Sequence, residues 1–231
     1  MRRIYLDYAS TTPVDREVLE AMEPYFSKKF GNPGAMHSFG QEAQAAVDQA
    51  RQKVADFFGC AFEEIIFTGP ATESNNIAIR GVVKHAKRNG LAKPHIITSA
   101  IEHKSVIETC HDLEKDGVEV TYLPITRDGF VRAEDVAEAI KENSVLVSIM
   151  YVSNEIGTIQ PIADIAKIIR SRRLTGNYPV FHSDAVQAPN YLDCNVESLG
   201  VDLLTFSGHK VYGPKGIGGL YVKRGTPIMP I

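Results

Sequence analysis

Short apolar segments alternate with segments of helical period from Glu64 to the end of the chain. This alternation is typical of α/β proteins, in which helices cover both faces of a mainly parallel sheet. Several apolar segments contain runs of adjacent apolar residues, which suits strands that are buried on both faces. Seven segments have the length of strands: 65–68, 95–99, 120–123, 145–152, 180–183, 203–206 and 217–222. The pattern predicts a three-layer α/β fold around a mainly parallel seven-stranded sheet.

Three segments have the apolar stripe of an amphipathic helix: 39–58, 71–88 and 162–172. Gly59 follows the first in the usual C-terminal capping position, and Gly90 stops the second. Pro161 opens the third, where its missing N–H costs nothing. No repeat, low-complexity tract or linker divides the chain. We therefore expect an N-terminal arm over residues 1–15 and a single sheet-centred domain over residues 16–231.

Composition and charge exclude several classes of function. The 231 residues are 44% hydrophobic and 23% charged, which is an ordinary globular composition. The 25 Lys and Arg against 28 Asp and Glu leave a net charge of −3, so no basic excess indicates a nucleic-acid or membrane surface. Asp7 interrupts the apolar start that a secretory signal needs, and no apolar run reaches the length of a membrane span. We expect a cytoplasmic protein.

Cysteine usage points away from a disulfide framework. The chain has three cysteines, an odd number, and none is paired with another in a CxxC spacing. The same spacing argues against a cysteine-rich zinc site. We expect Cys60, Cys110 and Cys194 to be small apolar filler, which is the ordinary role of a free cysteine.

The polar residues that directly follow the predicted strands are the candidates for chemistry, because ligands bind at the carboxyl ends of parallel strands. After Phe67, a Gly-Pro turn leads into a helix and leaves free backbone N–H groups at Ala71 and Thr72, which predicts a phosphate seat. A threonine at a helix start is by itself more often a plain N-cap. Neither familiar glycine-rich nucleotide loop occurs in the chain.

Lys210 is the sharpest candidate. It lies in Ser-Gly-His-Lys, directly after an apolar strand and close to the Gly213-Pro214 turn. A desolvated lysine beside other cationic groups has a lowered pKa and becomes a nucleophile or a base. The plain alternative, a solvated surface lysine, suits the neighbouring Lys215 and Lys223 better.

Asp184 ends an apolar strand, where a buried carboxylate needs a partner. It could bind a metal, orient a histidine or pair with a heterocyclic cation. His182 lies two residues away, but the chain has no HExxH and no Cys/His ligand spacing, so we predict no metal. His103 and His209 also lie at strand ends. A phosphate seat, a nucleophilic lysine, a carboxylate and a stackable histidine together predict pyridoxal 5′-phosphate (PLP) as the cofactor.

These motifs resemble the cysteine desulfurases of the iron–sulfur assembly type, which belong to the class V aminotransferase group of fold-type I PLP enzymes. The matching stretches follow one another in the right order along the whole chain: 5–9, 31–33, 67–76, 102–103, 154–157, 182–187 and 207–210. Several spaced motifs make the resemblance specific, whereas any single one would not. It implies that residues 16–231 form the PLP-binding large domain of such an enzyme.

The resemblance implies a role for each matching residue. Lys210 would bond to the cofactor and move the proton at the substrate Cα, and Asp184 would pair with the pyridine nitrogen. His103 would stack on the ring and serve in proton transfer. Gln187 would hydrogen-bond the ring oxygen, and Asn154 would help to seat the substrate carboxylate. The phosphate would be held by Ala71, Thr72, Ser207 and His209.

The resemblance also implies a reaction and partners. L-Cysteine would be converted to L-alanine, and the sulfur would pass to a protein cysteine for an iron–sulfur scaffold or another acceptor protein. A homodimer is expected. Family members are considerably longer, and their remaining part supplies a small domain, a carboxylate-binding arginine and a loop with the persulfide cysteine. None of the three cysteines here has that loop position, so we expect this chain to be the amino-terminal portion of such an enzyme.

Three alternatives stay open. The chain could be a catalytically silent PLP-binding domain, because the cysteine loop is not among its residues. It could belong to another class V enzyme, such as a selenocysteine lyase. A metallohydrolase built on His103, His182 and Asp184 is the third, and it lacks supporting ligand spacing.

Overall fold

The computed structural model describes residues 3–173 and 177–231, and in these residues it contains one seven-stranded sheet. The strands lie in the order β1-β7-β6-β5-β4-β2-β3. They are β1 (Ile65–Thr68), β2 (His95–Ser99), β3 (Glu119–Leu123), β4 (Ser144–Ser148), β5 (Val180–Asp184), β6 (Leu203–Ser207) and β7 (Gly218–Val222). β7 runs antiparallel to both β1 and β6, and the other neighbouring pairs are parallel. The predicted fold class is confirmed.

Helices flank this sheet. In the described ranges they are α1 (Arg16–Met22), α2 (Pro24–Ser27), α3 (Ser38–Phe58), α4 (Ala71–Arg88), α5 (Lys104–Lys115), α6 (Ala133–Ala139), α7 (Ile162–Arg172) and α8 (Val196–Leu199). The three predicted helices agree with α3, α4 and α7 to within one residue. Gly59 caps α3 with a φ of 67°, a left-handed conformation that glycine adopts without strain.

The core has two halves, one on each face of the sheet. Helices α4 and α5 pack on one face, and α3, α6, α7 and α8 pack on the other. Adjacent residues of a central strand point to opposite halves, as Leu146 and Val147 do in β4. Each large apolar side chain buried in this way contributes about 1.5–3 kcal/mol. The three-layer arrangement follows directly from these doubly covered strands.

One predicted strand is wrong in its extent. The apolar run over 145–152 predicts a single strand, but β4 ends at Ser148. Its neighbour β2 ends at Ser99, so the Met150 N–H donates to the Glu102 side chain at 2.9 Å instead of to a strand. Val152 then forms an isolated antiparallel bridge with Ile159. The other six predicted strands agree with the structure to within one residue.

The N-terminal residues run beside the turn that follows β6. The Thr12 N–H donates to the His209 carbonyl at 3.0 Å, and the Asp15 N–H donates to the Tyr212 carbonyl at 2.9 Å. The next two helices, α1 and α2, bury none of their residues in the described chain. The division into an arm over 1–15 and a domain over 16–231 remains a prediction. None of the described helices has both the length and the apolar character needed to cross a membrane.

Candidate active site

A cavity of about 460 Å³ lies where the central strands end. Residues that follow β1, β2, β4, β5 and β6 line it, which is the position expected for a ligand in an open α/β sheet. Eight of the nine predicted site residues line this cavity: Ala71, Thr72, His103, Asn154, Asp184, Gln187, His209 and Lys210. The ninth, Ser207, is buried at the end of β6 and lines a neighbouring apolar cavity instead.

Asp184 is the last residue of β5 and is buried. Its Oδ2 accepts a hydrogen bond from Asn75 Nδ2 at 2.7 Å, and its Oδ1 accepts one from the Val186 N–H at 3.0 Å. Burial raises the pKa of Asp184, while these two donors and the charges of His103 and Lys210 act in the opposite direction. The carboxylate is therefore held rigidly at the cavity wall, with one donor on each oxygen.

Lys210 ends a short 3₁₀ turn, Gly208–Lys210, that directly follows β6. Its Nζ donates to the carbonyl oxygens of Ala9 and Ser10, the latter at 2.7 Å. Burial lowers the pKa of Lys210, and the charges of Asp7 and Asp184 partly oppose this effect. The N-terminal turn thus supplies acceptors that hold the ammonium group at the cavity.

His103 begins α5 as its N-cap, with Nδ1 accepting from the Ser105 N–H at 3.1 Å. The same nitrogen lies 2.8 Å from Ser105 Oγ. These contacts fix the ring at the cavity edge. Among the described residues of the cavity, no ring stacks on His103. Its predicted role, stacking on the ring of the cofactor, remains a prediction.

Glu102 directly precedes His103 and is buried. Its Oε1 accepts hydrogen bonds from Ser99 Oγ at 2.5 Å and from the Met150 N–H at 2.9 Å. Oε2 is buried with no partner among the described residues. Burial raises the pKa of Glu102 to about 8, and the charge of Asp184 adds to this rise. At neutral pH Glu102 is therefore a mostly neutral acid.

The start of α4 forms an open anion seat. Pro70 takes the N-cap position, and no side chain caps this end of the helix in the described structure. Gly218 of β7 pairs with both Thr68 of β1 and Ser207 of β6, directly beneath the helix start. A Cβ on Gly218 would lie only 3.0 Å from the Ala71 nitrogen, so glycine leaves the space that this approach requires. An 18-residue helix with free N–H groups attracts a phosphate at this end.

Three other predicted residues have partners of their own. Gln187 Nε2 donates to the Ala9 carbonyl at 2.9 Å, and His209 Nδ1 lies 3.2 Å from Thr11 Oγ1. Burial lowers the pKa of His209, and the charges of Lys210 and Lys215 lower it further. Asn154 Nδ2 donates to the adjacent Glu155 carboxylate at 2.8 Å, so this amide is already engaged by an anion.

The residues present fit PLP. The cavity joins an anion seat, a lysine amine and a buried carboxylate, which match the phosphate, the aldehyde and the pyridine nitrogen of the cofactor. Asn75 Oδ1, at the wall of this cavity, is a buried amide oxygen that has no partner among the described residues. Such orphaned polar groups are uncommon in folded proteins and are consistent with a ligand partner.

A metal site has no comparable support. In residues 3–173 and 177–231, no group of three or more His, Cys, Asp or Glu side chains is arranged to hold a metal ion. His182 is fully buried between two hydroxyls, with Nδ1 2.8 Å from Ser148 Oγ and Nε2 3.0 Å from Thr205 Oγ1. Burial lowers its pKa to about 3, so it is a neutral part of the sheet interior.

Sequence reasoning missed two kinds of contributor. Asn75 and Ser105 hold Asp184 and His103 through hydrogen bonds. The only sequence signal for this pair is that Asn75 is a polar residue on the buried stripe of α4. The carbonyls of Ala9 and Ser10 hold Lys210, and backbone groups give no signal in a sequence.

A lysine, a carboxylate and a helix N-terminus around one cavity of this mixed seven-stranded sheet define the fold-type I PLP-dependent class of enzymes. The chain belongs to the aminotransferase class-V family, whose family model matches residues 4–229. The resemblance seen in the sequence is confirmed.

Relatives with assigned names point to one branch of the family. The chain is 50% identical over 230 residues to the cysteine desulfurase IscS of Dictyoglomus turgidum, which covers 100% of this chain and 56% of that relative. It is 50% identical over 224 residues to a mitosomal cysteine desulfurase of Encephalitozoon cuniculi, which covers 96% of this chain and 50% of that relative. The chain therefore spans about half the length of the curated relatives it matches.

Solved structures agree with this placement. A structure of SspA in complex with cysteine superposes with a TM-score of 0.92 at 44% identity, covering 99% of this chain and 64% of that one. A NifS-like protein superposes with a TM-score of 0.94 at 40% identity, covering 100% of this chain and 62% of that one.

We expect Glu102→Gln to raise the free energy of unfolding more at about pH 8 than at about pH 5. The folded-state pKa of Glu102, about 8, lies above its ordinary value of 4.5. Its contribution is therefore fully present below pH 4.5 and is lost as the pH rises through about 8. The amide keeps an acceptor for Ser99 and Met150 and carries no charge, so this loss disappears. Urea unfolding should show a relative gain on the order of one to a few kcal/mol.

Glu108→Gln is the matched control, because Glu108 is an exposed glutamate of α5. Glu108→Gln should hardly change the difference between the free energies of unfolding at the two pH values. An unchanged difference in Glu102→Gln would contradict the assignment of Glu102 as a buried neutral acid.

Proposed function

We propose that the chain is the cofactor-binding part of a PLP-dependent cysteine desulfurase, which converts L-cysteine to L-alanine and passes the sulfur to a protein cysteine. The observation that carries this proposal is the single cavity lined by Lys210, Asp184 and the start of α4. The names of the relatives support L-cysteine as the substrate. We propose for the nine site residues the roles that the resemblance implies.

Bound PLP supplies an electron sink for the carbanion that forms at the substrate Cα. Asp184, held by Asn75 and Val186, keeps a negative charge where the ring nitrogen would lie. Lys210 Nζ, held at the cavity by the Ala9 and Ser10 carbonyls, would bind the aldehyde end of the cofactor with release of water. Once its amine is free again, Lys210 would move the proton at the substrate Cα. His103 would stack on the ring and serve in proton transfer.

The remaining site residues bind the two anionic groups and the ring oxygen. Gln187 turns its amide from the Ala9 carbonyl to the ring oxygen. Asn154 turns its amide from Glu155 to the substrate carboxylate, which replaces one carboxylate by another. Four residues hold the phosphate: Ala71 through its N–H, and Thr72, Ser207 and His209 through their side chains.

The acceptor of the sulfur is a thiol other than the three in this chain. Cys110 and Cys194 are buried, and none of the three lines the cavity. Burial raises the pKa of Cys60 to about 11, and that of Cys110 and Cys194 to about 12. Each is therefore a protonated thiol at neutral pH, and it is the thiolate that attacks sulfur.

Because none of the three cysteines lines the cavity, a second candidate is a PLP-binding domain that is catalytically silent by itself. Selenocysteine lyase activity stays as the alternative within the class V enzymes.

We also propose a homodimer and a sulfur-acceptor protein, such as an iron–sulfur scaffold, as partners, with no nucleic acid or membrane partner. A cytoplasmic location remains our prediction, although two of the relatives are mitosomal.

We expect the chain to bind PLP covalently at Lys210. Purified protein mixed with PLP should develop a visible absorbance band, and borohydride should bleach it and fix the cofactor to the peptide that contains Lys210. Lys210→Ala should remove both signals, because it removes the amine. Lys215→Ala, which changes an exposed lysine five residues away, should keep them. A wild-type chain that stays colourless with added PLP would refute the proposal.

We expect no persulfide on Cys60, Cys110 or Cys194 after incubation with PLP and L-cysteine, because burial keeps all three as thiols. Alkylation followed by peptide mass mapping reads out each position. Alanine release with all three cysteines unmodified supports an outside sulfur acceptor. PLP binding without alanine release supports the silent domain instead. A persulfide on any of the three would contradict the assignment of the acceptor.

A further inference from the structure

A chain of hydrogen bonds connects the two groups that face opposite parts of the proposed cofactor ring. It runs from Asp184 through Asn75 and Ser105 to His103. Asn75 is fully buried on α4, and Ser105 is buried in the first turn of α5. We propose that Asn75 and Ser105 are positioning residues that fix the Nε2–H tautomer of His103 from the carboxylate of Asp184.

Asp184 sets the donor-to-acceptor direction of these hydrogen bonds. Asn75 Nδ2 donates one hydrogen to Asp184 Oδ2 at 2.7 Å and the other to Ser105 Oγ at 2.8 Å. Turning the amide over would place Asn75 Oδ1 against the carboxylate oxygen, where two acceptors would face each other. In the observed orientation Oδ1 is buried without a partner in the described chain. Asn75 thus leaves its own amide oxygen without a hydrogen bond and donates to the Asp184 carboxylate, which is the stronger hydrogen-bond partner.

The direction continues through Ser105. Its Oγ already accepts from Asn75, so its own hydrogen is free to point to His103 Nδ1, 2.8 Å away. The Ser105 backbone N–H points to the same nitrogen at 3.1 Å. With two donors aimed at it, Nδ1 acts as an acceptor, and the neutral ring carries its proton on Nε2. Helix capping alone explains the backbone contact and leaves the link to Asn75 unexplained.

This order gives the site one consistent arrangement of charge and proton. The carboxylate that would face the ring nitrogen also determines which nitrogen of the stacking histidine holds a proton. The catalytic meaning of this link rests on the proposed function. The tautomer itself is a property of the free chain and needs no cofactor.

Nitrogen-15 NMR of histidine-labelled chain tests the proposal, because the two ring nitrogens of a neutral histidine differ in shift according to which one carries hydrogen. The signal that disappears in His103→Gln identifies the ring among the seven histidines. At a pH where histidine is neutral, we expect an unprotonated Nδ1 and a protonated Nε2. Ser105→Ala and Asn75→Ala should each replace this single state by a mixture of the two tautomers.

Ser105→Thr should restore the single state, because it keeps the hydroxyl. Thr109→Val is the matched control, since it removes a buried hydroxyl one turn further along α5 that contacts Asn76 and the Ser105 carbonyl instead. It should leave the His103 signals unchanged. A single Nε2–H state that persists in Ser105→Ala would overturn the proposal, because the capping N–H would then suffice. A protonated Nδ1 in the wild type would overturn it as well.

The PLP affinity of the same proteins separates this inference from the proposed function. If the wild-type chain fails to bind PLP and yet shows the variant-sensitive tautomer, the proposed function fails and the inference holds. If it binds PLP and the tautomer does not respond to Ser105→Ala, only the inference fails. Should Asn75→Ala not fold, the Ser105 pair of variants decides alone.

Discussion

A single buried carboxylate, that of Asp184, sets the conditions that the rest of the site meets. A carboxylate taken out of water is costly unless donors surround it, and Asp184 has one on each oxygen. A second ionised carboxylate nearby would add repulsion, and the raised pKa of Glu102 avoids it. Lys210 lies on the same cavity, and burial lowers its pKa. Asp184 with its two donors, beside the neutral acid of Glu102, makes a site suited to a cationic heterocycle.

The sheet brings these groups together because of one inserted strand. β7 runs antiparallel between β1 and β6, so its first residue, Gly218, lies between the ends of both neighbours. The helix that follows β1 and the turn that follows β6 therefore start side by side. This places the anion seat of α4 and the amine of Lys210 on the same cavity. Only a residue without a side chain fits at that junction, since a Cβ there would meet backbone atoms at 3.0 Å or less.

Much of this arrangement could be predicted from the sequence, for identifiable reasons. Strands covered on both faces leave continuous apolar runs, and the polar residues at their ends mark the ligand edge, as Asp184 and Lys210 do. The end of β4 could not be predicted, because the run stays apolar beyond Ser148 while its hydrogen-bond partner becomes a glutamate side chain. The carbonyls of Ala9 and Ser10 have no sequence signal at all. Asn75 had a weak one, a polar residue on the buried stripe of α4.

Under the proposed function, the Asp184 carboxylate meets the ring nitrogen of a cofactor bound at Lys210. The most direct measurement is the nitrogen-15 chemical shift of the pyridine nitrogen in labelled PLP bound to the chain, compared with the same cofactor bound to Asp184→Ala. We expect a protonated pyridine nitrogen in the wild type and an unprotonated one in the variant. An unprotonated nitrogen in the wild type, or the same shift in both proteins, would contradict it.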